Sequence, residues 1–119
     1  MSDEAAVLVG PAIGVMMESD AASRSRIEAI LQDNRVVLFM KGSPALPQCG
    51  FSAKTTQILN ILLPDYATVD VLADPEIREG IKAYGDWPTI PQLYIDRELV
   101  GGCDIVSDMY QQGTLHQLL

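Results

Sequence analysis

From Ser19 onward the chain alternates helical and extended hydrophobic patterns, and no other feature narrows its possible folds as much. "SDAASRSRIEAILQDN" carries capping residues ahead of Ile27, Ile30 and Leu31 at helical spacing, and Asp33-Asn34 marks a stop. "RVVLFMKG" is a short apolar run rich in β-formers, the pattern of a buried strand, closed by Gly42. After the two-proline loop "SPALPQ", the stretch from Gly50 to Leu63 places Phe51, Thr55, Ile58 and Leu62 on one helical stripe, and Pro64 ends it. "YATVDVL" alternates as a strand does. "DPEIREGIKAYG" opens with Asp74 as N-cap and Pro75 at the first helical position. "PQLYID" and "ELVGG" read as a hairpin turning at Asp96-Arg97. A last helix runs from Asp104 to Gln112, with Ile105 and Met109 four apart and Val106 and Tyr110 likewise.

The order α-β-α-β-α-β-β-α predicts an α/β fold. Two strands joined through a helix must run parallel, and the closing hairpin is antiparallel. A four-stranded mixed β-sheet flanked by helices follows. At 119 residues the chain is read as a flexible N-terminal extension, 1–18, and one domain, 19–119. The extension is apolar at "AAVLVGPAIGV", yet it is short of the ~20 apolar residues that cross a bilayer and has no basic lead, so no membrane partner is expected. Met16 or Met17 is an alternative natural start. The net charge of −8 leaves no basic surplus for nucleic acid. Two cysteines, Cys49 and Cys103, are too few for a disulfide framework and fit a reducing, cytoplasmic setting.

Chemistry gathers at four places. Cys49 follows a polar loop and precedes a helix, where unpaired N–H groups and the helix dipole favour thiolate. Lys41, at the end of the first strand, adds positive charge nearby. Ser52, three residues on, replaces the second thiol of a Cys-x-x-Cys pair and cannot resolve a mixed disulfide; it otherwise reads as a first-turn residue satisfying a backbone donor. Pro91 enters a strand, cis or trans, and Trp87 reads equally as packing or function. Gly101-Gly102 lets the backbone approach a ligand closely, and Asp104 is either an N-cap or the acceptor for a ligand amine. Arg78 and Lys82, four apart, can face one carboxylate, although Lys82 reads better as a solvated side chain. His116 is assigned no role.

Three blocks, "MKGSPALPQCGFS", "WPTIPQLYI" and "ELVGGCDIV", lie in order within a stretch from Ser23 to Leu119 that resembles the monothiol glutaredoxins of the Cys-Gly-Phe-Ser class. The long link between Lys41 and Cys49 is similar to that class and unlike the shorter link of dithiol relatives. The resemblance implies a thioredoxin fold with Pro91 cis and facing Cys49, and a groove for glutathione. By motif position it implies Lys41 and Arg78 at a glutathione carboxylate and the backbone of Ile90 paired with the tripeptide. It also implies the Cys103 backbone and Asp104 at the γ-glutamyl end, with the aspartate taking the amine. Cys49 is then both the catalytic thiol and a metal ligand. A [2Fe–2S] cluster normally takes four thiolates. Cys49 and one glutathione from each of two chains supply them, which implies a homodimer bridged by the cluster and delivery to iron–sulfur acceptor proteins. The alternative is a glutathione-dependent thiol–disulfide oxidoreductase that removes glutathione from proteins. A regulatory Cys49–Cys103 disulfide is a third reading.

Overall fold

A computed structural model describes residues 11–119, with side chains described from residue 21 onward. Its helices are α1 (Pro11–Asp33), α2 (Gly50–Leu62), α3 (Pro75–Tyr84), α4 (Cys103–Gln112) and α5 (Thr114–Leu118). Its strands are β1 (Val36–Met40), β2 (Ala67–Asp70), β3 (Gln92–Ile95) and β4 (Glu98–Gly101). They form one sheet in the order β2-β1-β3-β4. β1 and β2 are parallel, with Val37 opposite Ala67, while β1–β3 and β3–β4 are antiparallel. The hairpin turns through Asp96 and Arg97 at φ 51° and 69°, the left-handed pair that a two-residue turn requires.

All five residues of β1 are buried, because successive side chains enter opposite cores. Val37 and Phe39 pack with Ile27, Leu31, Ile77, Ile81 and Tyr94 under α1 and α3. Val36, Leu38 and Met40 pack with Ile58, Leu59, Val106 and Leu115 under α2, α4 and α5. Asp74 caps α3 as expected, its carboxylate accepting from Ile77 N–H at 3.2 Å, with Pro75 in the first turn.

Four local readings change. α1 begins at Pro11 and not near Ser19, so residues 11–18, expected within a flexible extension, are helical. Proline suits a first helical position and the Ala, Met and Glu that follow are good helix formers. Residues 1–10 lie outside the described residues. On α2, Phe51 does not face the core but is 64% exposed. The buried side is Ser52, Thr55, Thr56, Ile58 and Leu59. The threonine hydroxyls can be buried there because they donate to the carbonyls of Phe51 and Ala53, at 2.9 and 2.8 Å. α4 is capped by Gly102, which leaves Asp104 exposed in the first turn instead of acting as N-cap. Finally, Gly113 at φ 79° ends α4 and starts α5, whose Leu115 enters the core. Among the described residues no helix is long and apolar enough to cross a membrane.

Candidate functional site

α2 starts with a cysteine because the preceding loop is folded back on β1. Gly42 N–H donates to the Asp70 carboxylate at 2.9 Å, and Gln48 N–H donates to the Lys41 carbonyl at 2.8 Å. That loop delivers Cys49 to the N-cap position in extended geometry, φ −154° and ψ 156°. Its sulfur accepts from Ser52 N–H at 3.3 Å, taking the role an N-cap oxygen usually plays. Ser52 itself is fully buried; its Oγ accepts from Lys41 N–H at 3.0 Å and lies 3.4 Å from the sulfur. Because its lone pair is used by the Lys41 amide, its own proton is free to point at a Cys49 thiolate. Burial pushes the Cys49 thiol up. The Ser52 hydroxyl, the Ser52 and Phe51 amides and the Lys41 charge outweigh that, so its pKa falls below that of an ordinary thiol. Ser52 therefore touches the sulfur directly as well as serving as the backbone partner expected.

Beside this thiol runs a groove of about 410 Å³. Three cations line it, Lys41, Arg78 and Lys82, together with the exposed Phe51. Lys82 is drawn to Glu79 at 3.5 Å, but Lys41 and Arg78 have no ion pair among the described residues. Arg78 Nε is buried without an acceptor. Two unpaired cations and an unsatisfied donor suit this lining to an anion. Gly102, Cys103, Asp104 and Ile105 also line the groove, with Asp104 exposed and able to meet a cation. The loop Trp87 to Pro91 forms a further stretch of its wall, with the Ile90–Pro91 bond cis. Here glycine at 102 serves closeness: a Cβ would stand 3.2 Å from the Pro91 carbonyl and 3.3 Å from Trp87 Nε1.

Lys41, Arg78, Ile90, Cys103 and Asp104, singled out from the sequence, all line this groove. Cys49 does not line it; it stands at the edge, next to the lining residue Phe51 and under the influence of Lys41. Sequence reasoning passed over Phe51, whose spacing suggested a core stripe, and placed Lys82 in solvent although it follows Arg78 by one turn. Thr89 and Ile105 had no local signal. The second cysteine, Cys103, is buried and starts α4.

The described residues thus combine a helix-capping thiol with a groove lined by three cations and one exposed carboxylate. The glutaredoxin family model matches residues 36–100. The chain belongs to the glutaredoxin family. Within it, the chain is 52% identical over 97 residues to a ycf64-like monothiol glutaredoxin of Synechocystis, covering 82% of this chain and 91% of that one. The solution structure of reduced apo GrxS14 from poplar superposes with a TM-score of 0.70 at 44% identity, covering 79% of this chain and 86% of the other. The crystal structure of a buckwheat glutaredoxin–glutathione complex is 21% identical, with a TM-score of 0.76 over 86% of this chain and 91% of that one. At that identity it shows the shared thioredoxin-type fold. The glutaredoxin described here is of the monothiol kind, with Ser52 where a dithiol member has its second cysteine.

Proposed function

We propose that this monothiol glutaredoxin binds glutathione in the groove and carries a [2Fe–2S] cluster between two copies of itself, delivering it to acceptor proteins. The observation that carries the reading is the lone capped thiol of Cys49 beside an unpaired cationic groove, with Ser52 in place of a second thiol. A glutathione carboxylate would satisfy Lys41 and the orphaned donor of Arg78. The extended tripeptide would lie along the Ile90 backbone, and its γ-glutamyl end would meet the Cys103 backbone, with the amine on Asp104. Its central cysteine would then lie toward Cys49. Among the described residues no group of three or more metal-ligating side chains exists, so the reading draws further ligands from glutathione and a second copy. One Cys49 and one glutathione sulfur per chain, taken twice, supply the four thiolates that a [2Fe–2S] cargo takes. Half of those ligands are not held by peptide bonds, which favours release to an acceptor in a reducing cytoplasm.

Anaerobic reconstitution with iron, sulfide and glutathione tests this. Wild type is expected to turn brown and become dimeric, Cys49→Ser to remain colourless, and Cys103→Ser to behave as wild type. A colourless wild type overturns the carrier reading.

The lowered Cys49 thiol supports a second reading, protein deglutathionylation. The Cys49 thiolate attacks the glutathione sulfur of a protein–glutathione disulfide, and the protein thiolate leaves. A second glutathione thiolate then attacks the glutathione sulfur now bound to Cys49, releasing oxidised glutathione and restoring the thiolate. Turnover that survives removal of the cluster is its signature.

A further inference from the structure

The groove wall from Trp87 to Pro91 contains two prolines and so lacks two of its backbone donors. It is tied at its start by Trp87 N–H donating to the Lys82 carbonyl at 3.0 Å. Its remaining ties come from beneath. Gln92, the first residue of β3, is fully buried, and its side chain turns to the same face of the sheet as Tyr94. Gln92 Nε2 donates to the carbonyls of Trp87 and Thr89, at 2.9 and 3.2 Å. Carbonyls only accept, so this pair fixes which end of the amide is nitrogen. Its Oε1 accepts from the Tyr94 hydroxyl at 3.1 Å. Burial, with Tyr84 nearby, pushes the Tyr94 phenol up to about 12, so that hydroxyl keeps the proton it donates. Both polar ends of the amide are thus spent, two bonds on the wall and one on the sheet.

Gly85 adds independent support. A Cβ there would collide with the Tyr94 hydroxyl and stand 3.2 Å from Gln92 Oε1. The end of α3 has therefore left room for this pair. An amide in an otherwise apolar core is costly unless its bonds are made, and two of these are made to the segment that faces the ligand.

We infer that Gln92 is a positioning residue: from under the groove it fixes the 87–91 wall, and through it the affinity for an anionic peptide thiol. The affinity part rests on the glutathione reading above, whereas the fixing of the wall does not. Gln92→Leu keeps the bulk and removes all three bonds. Leu93→Ala serves as the matched control, because Leu93 is equally buried but faces the opposite core.

Both variants are expected to lose thermal stability. Only Gln92→Leu should weaken glutathione binding, by about tenfold in calorimetry, while Leu93→Ala stays within about twofold of wild type. Only Gln92→Leu should shift the emission of Trp87, the single tryptophan of the chain, and move the backbone amide resonances of Thr89 and Ile90. Wild-type affinity together with wild-type resonances at those amides in Gln92→Leu overturns the inference. If wild type itself fails to bind glutathione, the ligand reading falls and the Thr89 and Ile90 resonances alone decide the role of Gln92. If Gln92→Leu does not fold, Gln92→Met, which likewise removes the donor to the Trp87 and Thr89 carbonyls, should still move the Thr89 and Ile90 resonances. Unchanged resonances there count against the inference equally.

Discussion

Two helices, α2 and α4, begin near cysteines beside the same groove, and their sulfurs meet different surroundings. Cys49 is the N-cap itself: its sulfur accepts an amide hydrogen bond, sits against a buried hydroxyl and feels the Lys41 charge. Cys103 is the first helical residue after a glycine cap that offers no side-chain bond, and it is 8% exposed. Its chain neighbour is the carboxylate of Asp104, not a cation. Both occupy the positive end of a helix dipole, so the dipole alone does not separate them. What separates them is one residue of register, a hydroxyl and access. The first is a thiol disposed to ionise and react; the second is a buried residue of the groove wall.

Alkylation breaks the comparison most directly. At neutral pH Cys49 should react with iodoacetamide at least about tenfold faster than Cys103, with a pH midpoint below that of a free thiol. Peptide mass mapping of a time course checks this, and a faster Cys103 would reverse the assignment. Ser52→Ala should have the next largest effect. It removes the hydroxyl from the sulfur and the acceptor from Lys41 N–H. The Cys49 midpoint should rise toward that of an ordinary thiol, and unfolding in urea should show a loss of about 1–3 kcal/mol for the stranded amide. A raised midpoint without lost stability would mean that the Lys41 amide finds another partner.

What the sequence made legible follows the range of the forces involved. Asp74-Pro75, the Asp96-Arg97 turn and the unbroken apolar run of β1 are read from near neighbours, and each is found in place. The polar groove residues were legible as motif blocks, because three separated segments had to be present together. Phe51 was not, since helical spacing assigns it a face but cannot show that the first turn of α2 overhangs the groove. Lys82 and Ile105 become lining residues only when α3, α4 and the proline loop are superposed. Gln92 looked like any strand-starting polar residue in "PQLYID"; its three bonds depend on where the loop and Tyr94 fall in space. The short α5 was missed because five residues with one buried leucine carry too little periodicity to register.

A smaller change probes the contact between the start of α4 and the proline loop. Gly102→Ala places a methyl group 3.2 Å from the Pro91 carbonyl and 3.3 Å from Trp87 Nε1, so either the loop or α4 must give by a few tenths of an ångström. The backbone at 102 is extended, φ −96° and ψ −164°, so the cost is crowding, not conformation. About 1 kcal/mol of stability should be lost in a urea titration. The alkylation profile of Cys49 should be unmoved, since none of the groups that act on its thiol belongs to α4 or the 87–91 loop. A shifted Cys49 midpoint in this variant would show the two helix starts to be mechanically coupled.

The smallest expected effect belongs to Lys41→Gln, and it separates charge from hydrogen bonding at Cys49. The amide of residue 41 and its bond to Ser52 remain, because a side-chain change leaves the backbone donor in place. Only the positive charge is lost, and it is the weakest of the influences lowering the thiol. A partly exposed cation acts through solvent, so the midpoint should rise at low salt, but by less than in Ser52→Ala. Raising the ionic strength should bring wild type toward the variant, while the Ser52→Ala midpoint moves far less because short hydrogen bonds are not screened. Equal and salt-independent shifts in both variants would mean that Lys41 acts by holding the loop and not by its field. The same Lys41→Gln protein should lose more in glutathione affinity than in thiol acidity, since the ammonium faces the groove that the sulfur only borders.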